Sequence, residues 1–199
     1  MNISNALSDA ILAITAIWVF WTRFHWMSRY ERLLWGFFFM TISLAALAGT
    51  VRFLGMQFIQ PLHHSLEVLA GSLGVVCLVV AVYGLVLNRP VGQRGFMATL
   101  LIGLGLFFAL LLSPLVGGFG PVVQSLAMVI VLLTACLGLM RRSARAVWIV
   151  FGIMILAVAT KLLGSPGVSL PINRIDFYHY SLTLMLLCLG KAGQPAPRK

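Results

Sequence analysis

Asp176 and His179 stand three residues apart where the last apolar stretch of the chain begins, Asn173-Arg174-Ile175-Asp176-Phe177-Tyr178-His179-Tyr180-Ser181-Leu182-Thr183. Positions i, i+3 and i+7 share one face of a helix, so Asp176, His179 and Thr183 present a carboxylate, an imidazole and a hydroxyl together. A second set lies at His63, His64 and Glu67, where i,i+4 or i,i+3 spacing sets either histidine beside the carboxylate. Imidazole with carboxylate suits zinc, and a bound zinc activates water for attack on an ester or amide. On that chemistry His179, His63 and His64 are the candidate metal ligands and Asp176 and Glu67 the candidate catalytic carboxylates. Arg52 and Asp9 are the candidate ligand-holding charges. Ionisable groups at the mouths of membrane helices are costly against lipid, so all seven are expected to face protein or water.

The elements that must position them are membrane spans. Of 199 residues, 61% are hydrophobic and 9% charged, against roughly a quarter charged in a soluble domain. Mean hydropathy is +1.03. Apolar runs of about 17–25 residues cross a bilayer. Seven are found: Asn5–Phe24, Leu33–Leu54, Leu62–Leu87, Phe96–Leu112, Val122–Met140, Ala146–Leu163 and Ile175–Leu189. The expected fold is an all-α, polytopic seven-transmembrane-helix bundle forming one domain over residues 1–190, followed by a mobile basic tail over 191–199. Breaks fall at Arg29-Tyr30-Glu31-Arg32, Gln60-Pro61, Asn88-Arg89-Pro90, Ser113-Pro114 to Gly120-Pro121, Arg141-Arg142 and Gly164-Ser165-Pro166-Gly167. The first span has no basic n-region and no small-residue cleavage site, so no cleavable signal is expected.

Basic residues set the orientation. Eleven of the fourteen lysines and arginines fall in one set of alternate loops, and Arg52, Lys161 and Arg174 fall in the other. Positive residues stay cytoplasmic, so the N-terminus is expected outside and the C-terminus inside a bacterial inner membrane. The net charge of +10 then reflects loop placement, and nucleic acid is not an expected partner. Asp9, Glu67, Asp176, His63, His64 and His179 all collect at the outer level, whereas His25 lies in a basic cytoplasmic loop. Cys77, Cys136 and Cys188 sit inside spans with no CxxC spacing and read as packing residues.

Small residues beneath the polar tips predict how the helices meet. Thr41, Ala45, Ala48, Gly49 and Arg52 share a face of the second span, and Glu67, Ala70, Gly71 and Gly74 share one of the third. Asn5, Asp9, Ala13 and Ala16 do so in the first. Small residues let membrane helices approach closely, so helices one, two, three and seven should bring their tips together around one pocket. Helices four to six, rich in Leu, Val and Phe, read as walls, contributing Gln124, Ser125 and Lys161. Three outcomes stay open for the pocket: a metal site, a metal-free ligand or proton site, or an ion-pair network of Asp9, Glu67 and Asp176 with Arg52, Lys161 and Arg174. Membrane lipid surrounds the chain, and a substrate or ligand reaching that depth is lipid-like or amphiphilic. Protein partners are not encoded in any motif. Retinal is not expected without a lysine in mid-helix seven, nor is haem, and no Gly-x-Ser-x-Gly, P-loop or His-Glu-x-x-His occurs.

Seven spans in this length, with Asn173-x-x-Asp176-x-x-His179 opening the seventh and Asn5-Ala6-Leu7-Ser8-Asp9 opening the first, resemble the CREST superfamily. It includes alkaline ceramidases, adiponectin- and progestin-type receptors and bacterial relatives. The resemblance implies a zinc-dependent lipid amidase or esterase, or a receptor-like module without catalysis. In that superfamily zinc is held by a histidine late in helix two and two histidines four apart early in helix seven. An aspartate from early helix three and a serine four residues before the helix-two histidine complete the site. His179 matches one seventh-helix histidine, and Glu67 stands where the aspartate would be. The helix-two histidine falls near Arg52, which cannot ligate a metal because it stays protonated. The serine falls near Ala48, and the second seventh-helix histidine falls at Thr183 or Ile175. The implied ligand set is therefore incomplete unless His63 or His64 restores a ligand. Alternatively, Arg52 supplies the cation's charge and holds Glu67 or Asp176.

Overall fold

The computed structural model describes residues 2–113, 116, 118–165 and 172–195. Among them every regular element is helical. Seven long helices follow one another: α1 (Ile3–Arg23), α2 (Arg29–Phe53), α3 (Gln57–Leu87), α4 (Gln93–Leu112), α5 (Gly120–Met140), α6 (Ala144–Gly164) and α7 (Arg174–Ala192). The first six are long and apolar enough to cross a membrane. The last is comparable in length, but Asp176, Tyr178, His179, Tyr180 and Lys191 dilute its apolar content, and it is not among those six. The apolar runs understated several helices, because polar residues continue the same hydrogen-bonded turns. α2 begins at Arg29 rather than Leu33, and α7 continues through Lys191 and Ala192. Pro114, Pro166, Gly167 and the tail residues Pro197, Arg198 and Lys199 lie outside the described residues.

Local signals fix the ends. The Asn2 side chain accepts from the Asn5 amide to start α1, and Asn173 accepts from the Ile175 amide at 3.0 Å to start α7. Pro61 and Pro121 occupy first-turn positions of α3 and α5, where a missing N–H costs nothing. Asn88, at φ 51°, stops α3 in the left-handed conformation that asparagine tolerates. Within α3 the turn Ala70–Gly74 widens to π geometry, which lets the rod bend where it passes the interior.

The helices form a ring. α1 packs on α2, α2 on α3, α3 on α5, α5 on α6, α6 on α7, and α7 closes on α1. The four expected neighbours are only part of this wall, since α6 lies along α7 as extensively as α2 lies along α1. α4 sits outside the ring against α3, with Leu101, Ile102, Phe108 and Leu112 exposed. Its small residues Thr99 and Gly103 are buried, and Gly103 seats it on Leu73 at the outer side of α3. One end of the ring is plugged by aromatic rings from α2 and the α1–α2 junction. Phe24 lies 4.4 Å from Trp35 and 5.3 Å from Phe39 between ring centroids, and Phe38 meets Phe39 edge-on at 5.3 Å. All four are buried. Gly190 brings α7 against Val19 of α1 on the way to this plug, where a Cβ would strike the valine.

Candidate functional site

The opposite end of the ring is polar. It is built by the first turns of α1 and α7, the last turns of α2 and the first turns of α3. On α1 the i,i+4 pair Ser4 and Ser8 faces α7, and both hydroxyls reach Asp176: Ser4 Oγ donates to Oδ2 at 2.5 Å and Ser8 Oγ to Oδ1 at 2.7 Å. Asp176 is 2% exposed and fully engaged, so its carboxylate ties α7 to α1. Ser8 Oγ also lies 3.1 Å from Nδ1 of His179, placing a hydroxyl between the two residues of the seventh-helix motif. The same Nδ1 stands 3.2 Å from Oδ1 of Asp9. The resulting chain runs Asp9, His179, Ser8, Asp176, Ser4 across two helices.

A second pair forms on α3. His63 Nε2 lies 3.2 Å from Oε1 of Glu67, one turn on, and His63 Nδ1 lies 3.0 Å from the carbonyl of Ala45 in α2. Sequence left His63 and His64 equivalent; the fold does not. His63 is buried against α2, while His64 is exposed. The helix starts early enough, at Gln57, to carry His63 inside. Gly49 of α2 is what lets the two pairs approach. The volume a Cβ would fill there is occupied by the Asp9 carboxylate and by the His63 ring edge.

The pairs face a cavity of about 810 Å³ inside the ring. Asp9, His63, His64, Glu67, Tyr178 and His179 line its polar end, with Gln124 and Ser125 across from them on α5. The remaining wall is apolar, running from Leu12 and Ile42 to Phe38, Ile153 and Met185. Glu67 is half exposed, whereas Asp9 is almost completely buried. Two buried acceptors have no hydrogen-bond partner among the described residues, Oδ1 of Asn5 and Oδ2 of Asp9.

The basic residues do not join this cluster. Arg52 donates from Nη1 to Oε1 of Gln60 at 3.1 Å, and its guanidinium lies 4.2 Å over the Phe53 ring. Arg174 donates to the Leu163 carbonyl at 3.2 Å, and Lys161 is exposed. Among the described residues, Asp9 and Glu67 make their ion-pair contacts with histidines and not with Arg52, Lys161 or Arg174. Arg52 thus holds neither Glu67 nor Asp176, because its side chain lies over Phe53 and reaches Gln60 at the start of α3. Nor do three His, Cys, Asp or Glu side chains converge as a metal-holding group among the described residues. Zinc would need at least three ligands, and here His63 spends both ring nitrogens on Ala45 and Glu67 while Asp176 spends both oxygens on serines. The donor arrangement does not fit that ion.

Ser4, Ser8 and Tyr178 are site residues that sequence reasoning passed over. A signal for the serines existed in Ser4, Asn5, Ser8 and Asp9, which recur at i, i+1, i+4 and i+5 along one polar stripe of an otherwise apolar span.

The profile of a family described as a family of unknown function (DUF6962) matches residues 4–196, and the chain belongs to that family. No curated protein and no solved structure matches it.

Proposed function

We propose that this member of the family of unknown function is a membrane module that takes an amphiphile into the ring, polar head at the Asp9–His179 and His63–Glu67 pairs and tail along the apolar wall. The observation that carries the reading is the cavity of about 810 Å³, polar at one end and apolar elsewhere. Its size falls in the roughly 300–1,000 Å³ range of small-molecule sites, and its few polar groups converge at one place. We further propose seven spans with the N-terminus outside and the C-terminus in the cytoplasm of a bacterial inner membrane, on the eleven-to-three partition of basic residues. In that orientation the polar end of the cavity opens away from the cytosol.

The test is saturable binding of a tritiated long-chain alcohol, acid or amine to the purified chain in nanodiscs of neutral phospholipid, with empty nanodiscs subtracted. About one amphiphile per chain is expected, and Ala157→Trp, which puts an indole into the cavity wall, should abolish it. Binding that never saturates, or that survives the indole, contradicts the reading.

One observation favours a second, catalytic reading. His179 carries a carboxylate on Nδ1, lines the cavity, and has no partner for Nε2 among the described residues, which is how a carboxylate orients a general base. A CREST-like zinc amidase or esterase goes further, since His63 or Asp176 would first have to leave its present partners to become a ligand. It requires stoichiometric zinc on elemental analysis, lost on His179→Ala, and turnover of a lipid amide or ester.

A further inference from the structure

We infer that the chain carries an anionic-phospholipid site at the aromatic end of the ring, where α1, α6 and α7 meet, with Arg145 and Lys191 as the cations that take the phosphate. The site lies at the opposite end from the amphiphile pocket and does not rest on it. In the orientation proposed above it belongs to the cytoplasmic leaflet.

Three cations at this end lie on tryptophan rings. The Arg23 guanidinium stands 5.6 Å from the Trp18 ring, that of Arg145 5.5 Å from Trp26, and the Lys191 ammonium 5.9 Å from Trp148. Hydrogen bonds gather them. Trp26 Nε1 donates to the carbonyls of Arg23 and Gly193, each at 2.8 Å, which ties the α1–α2 junction to the end of α7. Arg145 and Trp148 stand three residues apart on one face of α6, so Arg145 over Trp26 and Lys191 over Trp148 bring that helix to the same place. All three tryptophans are exposed, as rings at a membrane interface are.

These cations meet no carboxylate. Of the chain's four acidic residues, Asp9, Glu67 and Asp176 are at the polar end. The fourth, Glu31, accepts from Ser28 Oγ at 2.6 Å; it lines a small cavity with Arg145 beside Trp26, but among the described residues the two form no ion pair. A ring face takes up none of the N–H donors at the edge of a guanidinium, so Arg145 keeps its fork for an anion. Arg23 and Lys191 stand in the last turns of their helices, and helical side chains lean toward the N-terminus, here back into the span. An unpaired cation is costly there, and a lipid phosphate is the anion available at that depth. Below it the outward surface is apolar. Phe151 lies 6.4 Å from Trp148 between ring centroids, and Leu187 is exposed one turn before Lys191, which gives acyl chains a wall. A zwitterionic lipid would bring its own ammonium among the three cations, whereas phosphatidylglycerol brings net negative charge.

The experiment is native mass spectrometry of the purified chain in detergent, with dioleoyl phosphatidylglycerol or dioleoyl phosphatidylcholine added at matched concentrations. Phosphatidylglycerol should bind at least about tenfold more tightly, and Arg145→Gln combined with Lys191→Gln should erase that preference. Arg89→Gln combined with Arg94→Gln, the same loss of charge at the α3–α4 junction, should keep it. If the first double variant does not fold, Lys191→Gln alone, at an exposed side chain, should lower the preference about fivefold. Equal binding of the two lipids overturns the site. An equal loss in the Arg89 and Arg94 control also overturns it, by making the preference one of net charge. Displacement of phosphatidylglycerol by millimolar glycerol phosphate would make the ligand a soluble phosphate and overturn the lipid assignment.

Discussion

The two ends of the ring are closed by opposite chemistry. At one end Phe24, Trp35, Phe38 and Phe39 are all buried, with ring centroids 4.4–6.1 Å apart along Phe24–Trp35–Phe39, and Phe38 closes the apolar wall of the cavity. At the other, buried carboxylates, imidazoles and hydroxyls stand around open volume, and two acceptors are left over. Aromatic packing is non-directional and is satisfied within the protein. A polar cluster is directional, and here part of its capacity is reserved. The aromatic end is accordingly where packing within the protein is most complete, and the polar end is the proposed site of function.

That division can be broken in graded steps. The largest loss of stability is expected from Trp35→Ala at the aromatic plug, about 3–5 kcal/mol, read as thermal or denaturant unfolding in detergent, with amphiphile affinity of the folded fraction retained. Asp176→Ala comes next. It strands Ser4 and Ser8 and unties α7 from α1, costing about 1–3 kcal/mol in the same assay. Gly49→Ala should cost about the same or less in stability but weaken amphiphile binding about tenfold or more, because its methyl group displaces the Asp9 carboxylate. The smallest effect belongs to Arg52→Ala, below about 1 kcal/mol, since its partners are Gln60 and the Phe53 ring near the surface. A large loss at Arg52 would mean that the charge does anchor the polar end after all.

The sequence carried the helices well, because an apolar run long enough to span a membrane has few other uses. It also carried the face of α7, since Asp176 and His179 share it by helical geometry alone. Two things were hidden. The first was pairing. Nine ionisable groups at one level admit many matches, and only the rotation of each helix decides that Asp9 meets His179 while Arg52 reaches Gln60. The second was the place of α4. In lipid-facing helices the outward side is as apolar as the inward one, so periodicity does not tell a ring member from an outlier. The stripe of α1 was half read: Asn5, Asp9, Ala13 and Ala16 are all buried, but Ser4 and Ser8, which do the bonding, lie on the same polar stripe and were passed over.

The central claim is that the polar end of the ring receives the head of an amphiphile. It is tested most directly with a long-chain alcohol carrying a photoactivatable diazirine near the hydroxyl, cross-linked to the chain in nanodiscs and mapped by peptide mass spectrometry. The account predicts adducts on the first turns of α1, α3 and α7, at the peptides bearing Asp9, His63, Glu67 and His179, suppressed by the unlabelled alcohol. Adducts confined to the outward-facing positions of α4 and α5, such as Leu101, Ile102 and Leu126, and insensitive to competitor would contradict it.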